Sequence, residues 1–239
     1  STILIRRVAR PTSILPKKFW LATNLWFSHC HNPFRFHHRL SKPPTGVCSA
    51  TKANRLKLHR LPYNPLSLYG DMPMLPLHIA TGFTETMAKA FGLGQKQQLR
   101  LKKLILDAYE GAGIVLADSA TWKLPAPTLA TVWELFLQQD KVEEDSLYAA
   151  LDSLVSYQIF EPNAQMVQSL YDMLDDVTVI ELAGYSPQIQ NLVVALTLDL
   201  FYSQMQKRGK PTVNGDFRQI TKMVLVDEAD NFMKEDFRS

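Results

Sequence analysis

No aspartate or glutamate occurs before Asp71. Residues 1–70 carry 12 Lys+Arg against no acid, whereas residues 71–239 carry 14 Lys+Arg against all 23 Asp+Glu, so a net charge of +3 hides two unlike halves. Cysteine is scarce as well: Cys30 and Cys48 are too few for a disulfide framework, which excludes a small secreted scaffold. No apolar run approaches the roughly 20 residues a membrane-spanning helix needs. A phosphate-cradling G-x-x-x-x-G-K-[ST] loop is missing too, and Gly92-Leu93-Gly94 lacks the lysine that such a loop requires. With 239 residues, 46% of them hydrophobic and 21% charged, the chain is long enough for one domain with a large buried core and too short for three.

The acid-free stretch admits several readings. Lysine and arginine without acids are a footprint of phosphate binding, because they neutralise phosphates and release counterions. Against this, Phe19, Trp20, Leu25, Trp26, Phe27, Phe34 and Phe36 crowd the segment with neither a period of 2 nor one of 3.6. Such a composition favours a coding sequence read out of frame over residues 1–50, with a basic binding arm as the alternative. Arg6, Arg7 and Arg10 ahead of an apolar run imitate a targeting peptide, but Asn24 interrupts that run and no small-residue cleavage site follows. His29, Cys30, His31, His37, His38 and Cys48 are zinc-ligand residue types without the paired spacing of a zinc knuckle, which reads as a chance cluster. The start at Ser1, and an end soon after an apolar run, lead us to expect a fragment.

From about residue 54 the pattern becomes regular. Residues 54–61 alternate as a strand that Pro62 and Pro65 stop. Apolar spacings of three and four predict helices over 77–91, 95–110, 146–157 and 164–174. Gly111 is placed for a left-handed cap, and Thr128 for capping the amides of a helix that begins after Pro127. Residues 177–182 (VTVIEL) then form a compact β-branched strand, 188–206 a long helix, and 222–227 (KMVLVD) a second buried strand. A strand-helix-strand crossover of this length predicts adjacent strands of a parallel sheet, hence an α/β core.

The second strand ends in Asp227 and Glu228, at the carboxyl edge where open α/β sheets bind ligands. An apolar strand followed by Asp-Glu is a Walker B arrangement. Its first carboxylate holds Mg²⁺, commonly through water, and its second polarises the water that attacks the γ-phosphate. Asp227 is thus the candidate metal ligand and Glu228 the candidate general base, with Glu181 at the end of the first strand a weaker candidate for the same edge. The plainer alternative is that these acids only cap a following helix over 231–237, where the helix dipole favours them. Lys96, Arg100, Lys102 and Lys103 fall within two turns and read either as a phosphate contact or as a solvated face.

Residues 64–68 (NPLSL), 92–99 (GLGQKQQL), 180–187 (IELAGYSP) with 189–192 (IQNL), and 226–232 (VDEADNF) together resemble the HerA/FtsK-type P-loop ATPases. The nearest likeness is to the HerA-like ATPases of phosphorothioation-dependent DNA restriction systems, over about residues 51–239. This resemblance implies a partial RecA-like P-loop ATPase core, α/β with a parallel sheet, in which a helical insertion occupies about 71–176 and the strand-helix-strand core about 177–239. It implies ATP and Mg²⁺ as cofactors, DNA and other restriction-complex subunits as partners, a homo-oligomeric ring, and no membrane. The implied protein is an ATP-hydrolysing DNA translocase or restriction motor subunit, inactive alone for want of its phosphate loop. The alternative is a non-catalytic, basic DNA- or partner-binding protein on a degenerate ATPase core. Two unpaired cysteines, and no targeting segment in the regular part, point to a bacterial-type cytoplasm.

Overall fold

The computed structural model describes residues 2–7, 54–68, 74–174, 177–208, 213–214, 217–218 and 222–227, and local sequence chemistry sets most of the element ends within them. Helix α1 (Pro76–Phe91) opens on a proline, whose missing N–H is no loss in a first turn. It closes at Gly92, whose φ of 68° needs the freedom of glycine. Helix α2 (Gln95–Gly111) begins with the Gln97 side chain accepting the Gly94 N–H at 2.8 Å. Its end departs from expectation: the Ala112 N–H still reaches the Ala108 carbonyl, so Gly111 stays helical and Gly113, at φ 78°, takes the left-handed position.

Helix α3 (Leu129–Leu137) starts after Thr128 as expected, but the Thr128 hydroxyl caps no amide and donates instead to the Pro162 carbonyl at 3.0 Å. Helix α4 (Ser146–Ser156) is capped by Asp145, whose carboxylate accepts from the Leu147 and Tyr148 amides at 2.9 and 3.1 Å. The helix expected over 164–174 is broken into a single 3₁₀ turn, Ala164–Met166, and the short α5 (Leu170–Met173). The Asn163 side chain takes the Gln165 amide and the Gln168 amide leaves for the Pro62 carbonyl at 2.7 Å, so the helical ladder cannot run through. Helix α6 (Pro187–Arg208) is the longest of the described helices and packs against α1 and α5.

The core lies among α1, α2, α3, α4 and α6 and the segment 58–68. Leu58, Leu61, Tyr63, Tyr109 and Phe136 are essentially fully buried there. Both buried tyrosine hydroxyls are satisfied: Tyr109 donates to the Leu66 carbonyl at 2.5 Å, and Tyr63 bonds Thr197 Oγ1 at 2.7 Å. The Thr197 hydroxyl spends its own proton on the Val193 carbonyl, so Tyr63 is the donor of its pair. Burial pushes both phenols far above their ordinary pKa, which keeps them neutral donors.

Arg100 and Asp145 fix the loop between α3 and α4. The Arg100 guanidinium lies 4.5 Å from the centre of the Phe136 ring and donates to Gln139 Oε1 at 2.8 Å and the Lys141 carbonyl at 3.3 Å. Partial burial pulls the Asp145 pKa up, but bonds from Gln97, Tyr148 and Leu147 and the charge of Arg100 outweigh it and leave it below the ordinary 3.8. A carboxylate lowered in this way stabilises the fold above its unfolded pKa of about 4, and the contribution is lost as pH falls through the lower folded value. Asp145→Ala is therefore expected to cost about 0.5–2 kcal/mol at pH 7, typical of a lost N-cap. Parallel urea titrations at pH 7 and at acid pH check this: the difference between variant and parent should shrink in acid, and a constant difference would contradict it.

The sheet orders its strands β2 (Asn54–Lys57), β3 (Thr178–Glu181), β1 (Thr2–Arg7), β6 (Lys222–Val226), while β4 (Val213–Asn214) and β5 (Phe217–Arg218) make a separate two-stranded hairpin. Strand β2 is parallel to β3, and β1 is antiparallel to both β3 and β6. The chain is thus α/β as expected, but the sheet is mixed rather than parallel. β3 and β6 run the same way without being neighbours, because β1 inserts between them. A helical crossover fixes only the relative direction of two strands, so adjacency did not follow from it. Nor is β6 buried on both faces: among the described residues it pairs with β1 alone, and Leu225 is 47% exposed. Arg6 and Arg7, expected as part of a loose targeting imitation, are strand residues opposite Met223 and Lys222. The basic segment therefore supplies a strand to the same sheet as the later part of the chain, while residues 8–53 lie outside the described residues.

Candidate functional site at the carboxyl edge of the sheet

Strand direction and register decide which side chains share an edge. β2, β3 and β6 point one way and β1 the other, so the carboxyl ends of three strands and the start of the fourth meet along one side of the sheet. Lys57 stands opposite Glu181, Glu181 opposite Thr2, and Ile3 opposite Val226. Asp227 follows directly after β6, exposed, in a turn. The sequence thus brings Glu181 and Asp227 to the same edge as expected, two strand spacings or about 10 Å apart.

Glu181 is a strand residue, as the run over 177–182 leads one to expect. It belongs to β3, is partly buried, and pairs with Arg55 Nη1 at 3.2 Å across the β2–β3 boundary. An ion pair with an arginine this exposed is weak, so its effect is mainly to orient the carboxylate along the edge. Arg55 went unnoticed in the sequence because no spacing rule joins residue 55 to residue 181; the parallel register alone makes them diagonal neighbours. Thr2 went unnoticed for a different reason: the aperiodicity of residues 1–50 taken as a whole concealed the short apolar run Ile3-Leu4-Ile5, a local strand signal.

Glu228 lies outside the described residues, as do His29, Cys30, His31, His37, His38 and Cys48. Among the described residues no cluster of three or more His, Cys, Asp or Glu side chains is arranged to hold a metal. Mg²⁺ needs no such cluster, since it is commonly bound by one or two carboxylates together with substrate phosphates and water. An exposed carboxylate at a strand end, as Asp227 presents, fits that donor chemistry. Of the basic group on α2, Arg100 is committed to Phe136, Gln139 and Lys141, whereas Lys96 and Lys103 are exposed. Arg100 is thus withdrawn into packing, and Lys96 and Lys103 remain on the solvent face of α2. No helix among the described residues is long and apolar enough to cross a membrane.

No protein-family model matches the chain, and no curated protein matches it. Among solved structures, VirB4 of Thermoanaerobacter pseudethanolicus is similar, with a TM-score of 0.52 over 76% of this chain and 69% of that one, at 15% sequence identity. At that identity the likeness is one of fold.

Proposed function

We propose that this chain is part of the ATP-hydrolysing core of a distant FtsK/HerA-type P-loop ATPase, a motor that moves or restricts DNA. The observation that carries the reading is the fold likeness to VirB4, an ATPase of that superfamily, over a chain whose Walker B-like strand β6 delivers Asp227 to the carboxyl edge. In finer form the reading includes a RecA-like core, assembly into a homo-oligomeric ring, and work with other subunits of a phosphorothioation-dependent restriction complex. That finer part rests on the sequence resemblance at residues 92–99, 180–187 and 226–232.

Under this reading Asp227 holds Mg²⁺ together with nucleotide phosphates and water, and the ion, when bound, neutralises charge developing on the transferred phosphoryl group. Glu228, the next residue, accepts a proton from the attacking water. Glu181 is turned along the edge by its ion pair with Arg55. The 239 residues contain no G-x-x-x-x-G-K-[ST] loop, so the reading assigns the phosphate cradle to sequence joined to this chain or to a neighbouring subunit.

Titrating ATP with and without Mg²⁺ into the protein carrying its native flanking sequence tests this. Asp227→Ala is expected to weaken ATP binding in Mg²⁺ at least about tenfold, the scale on which metal sites respond to loss of a supporting group, and to leave binding in EDTA unchanged. Undiminished Mg²⁺-dependent affinity in Asp227→Ala would overturn the reading.

A further inference from the structure

Just beyond the carboxyl ends of β2 and β3 lies a surface group that the Walker B reading does not use. Tyr157, the residue after α4, is 56% exposed. Its ring meets that of Tyr185 edge to face, with centroids 5.7 Å apart at 84°. Tyr185 is held from behind, its carbonyl accepting from Gln190 Nε2 at 2.8 Å. His59 and Arg60 lie beside the pair on the exposed turn that leaves β2, with His59 Nδ1 3.4 Å from the Tyr157 carbonyl and Arg60 Nε 2.7 Å from Oε1 of the neighbouring Gln158, and Lys57 is the exposed last residue of β2.

The turn is built with unusual rigidity. Arg60 and Gln158, neither of them glycine, both adopt left-handed backbone, at φ 50° and 46°. They are locked to each other twice: the Arg60 amide donates to the Gln158 carbonyl at 2.6 Å, and Arg60 Nε to Gln158 Oε1 at 2.7 Å. The Leu61 amide continues the link to the Ile159 carbonyl at 2.9 Å. At Gln158 the left-handed turn closes α4, the Ile159 amide reaching the Leu154 carbonyl at 3.0 Å; Arg60 ends no helix, and its strained backbone is held by the bonds to Gln158. The charge is one-sided as well. Arg55 takes Glu181, and among the described residues neither Lys57 nor Arg60 has a carboxylate partner.

We propose that the exposed Tyr157 ring, set edge to face with Tyr185, is a stacking subsite for a nucleobase whose phosphate is met by Arg60 and Lys57. Every base offers a π-face to an aromatic ring, and a guanidinium on a rigid turn is a good phosphate ligand. The subsite sits at the β2–β3 end of the edge whose β6 end carries Asp227. It deepens the reading above and rests on it for the class of ligand. Two sources share this chemistry, a free nucleotide and an unpaired nucleic-acid strand.

The test uses the full chain with two probes, a fluorescent ATP derivative and a fluorescent short oligothymidylate, against the parent, Tyr157→Ala, Tyr157→Trp and Arg60→Gln. Tyr157→Ala is expected to weaken one probe about 5- to 150-fold, the loss of one stacked base, while Tyr157→Trp keeps the affinity within about twofold. A response of the ATP derivative assigns the subsite to a nucleotide, and a response of the oligothymidylate assigns it to a strand. In the strand case Arg60→Gln should also lower the salt slope by about one. Unchanged binding of both probes by Tyr157→Ala, a Tyr157→Trp as weak as the alanine variant, or a parent chain that binds neither probe would overturn the proposal. Failure of the ATPase reading is read separately, as Mg²⁺ dependence that survives Asp227→Ala.

Discussion

Glu228→Gln is expected to lower ATP turnover by about 10²–10⁴-fold while leaving ATP binding within a few-fold of the parent. The substitution keeps size and shape but replaces a carboxylate with an amide that has no capacity to accept a proton. If Glu228 activates the attacking water, the ground-state complex forms as before and only the chemical step slows. The proper measurement is single-turnover hydrolysis in the protein with its native flanking sequence, beside a binding titration. Loss of binding and turnover together would mean that Glu228 supports the fold or the metal rather than the water. Turnover at the parent's rate would remove the assigned role altogether. The contrast with Asp227→Ala is diagnostic, because that variant should fail already at Mg²⁺-dependent binding.

The largest expected effect on stability is at Phe136. Its ring is fully buried, stacks on Trp133 at 5.6 Å and 8°, touches Tyr148 at 6.0 Å, and carries the Arg100 guanidinium on its face at 4.5 Å. Phe136→Ala removes the apolar contact, opens a cavity between α2, α3 and α4, and leaves Arg100 over empty space. Substitutions of this type cost about 3–5 kcal/mol. Against the 5–15 kcal/mol that stabilises an ordinary domain, that is a large share of the total. Urea denaturation should show a lower midpoint at an unchanged slope. A loss below about 1 kcal/mol would mean that the three helices do not share this core. Tyr157→Ala, on an exposed ring, is the matched control, with little change in the midpoint.

Much of the helical part was legible because its determinants are local. Pro76 at the first turn, Gly92 after the last, and apolar residues at spacings of three and four place α1 within a residue of expectation, with α4 likewise and α6 within two. Errors arose where a side chain or amide had a distant partner. Thr128 donates to Pro162, and the Gln168 amide bonds Pro62, so an expected cap and an expected helix gave way to contacts that no window of sequence contains. The turn that holds Tyr157 was invisible for the same reason, since Arg60 and Gln158 are 98 residues apart.

The candidate site divides along similar lines. That Asp227 stands at the carboxyl end of an apolar strand was readable from residues 222–227 alone, because strand length and the two acids are properties of the local chain. By itself the sequence determined helices α1, α2, α3, α4 and α6, the α/β class, the direction shared by β3 and β6, and the position of Asp227 at a strand end. Only the tertiary structure decided that β1 separates those strands, that β6 is half exposed, that Arg55 holds Glu181, and that Tyr157, Tyr185 and Arg60 share one surface. The physical reason is range: periodicity, caps and turn residues act over a few positions, whereas strand order, ion pairing and surface clustering are set by hydrogen-bond register between segments far apart in the chain.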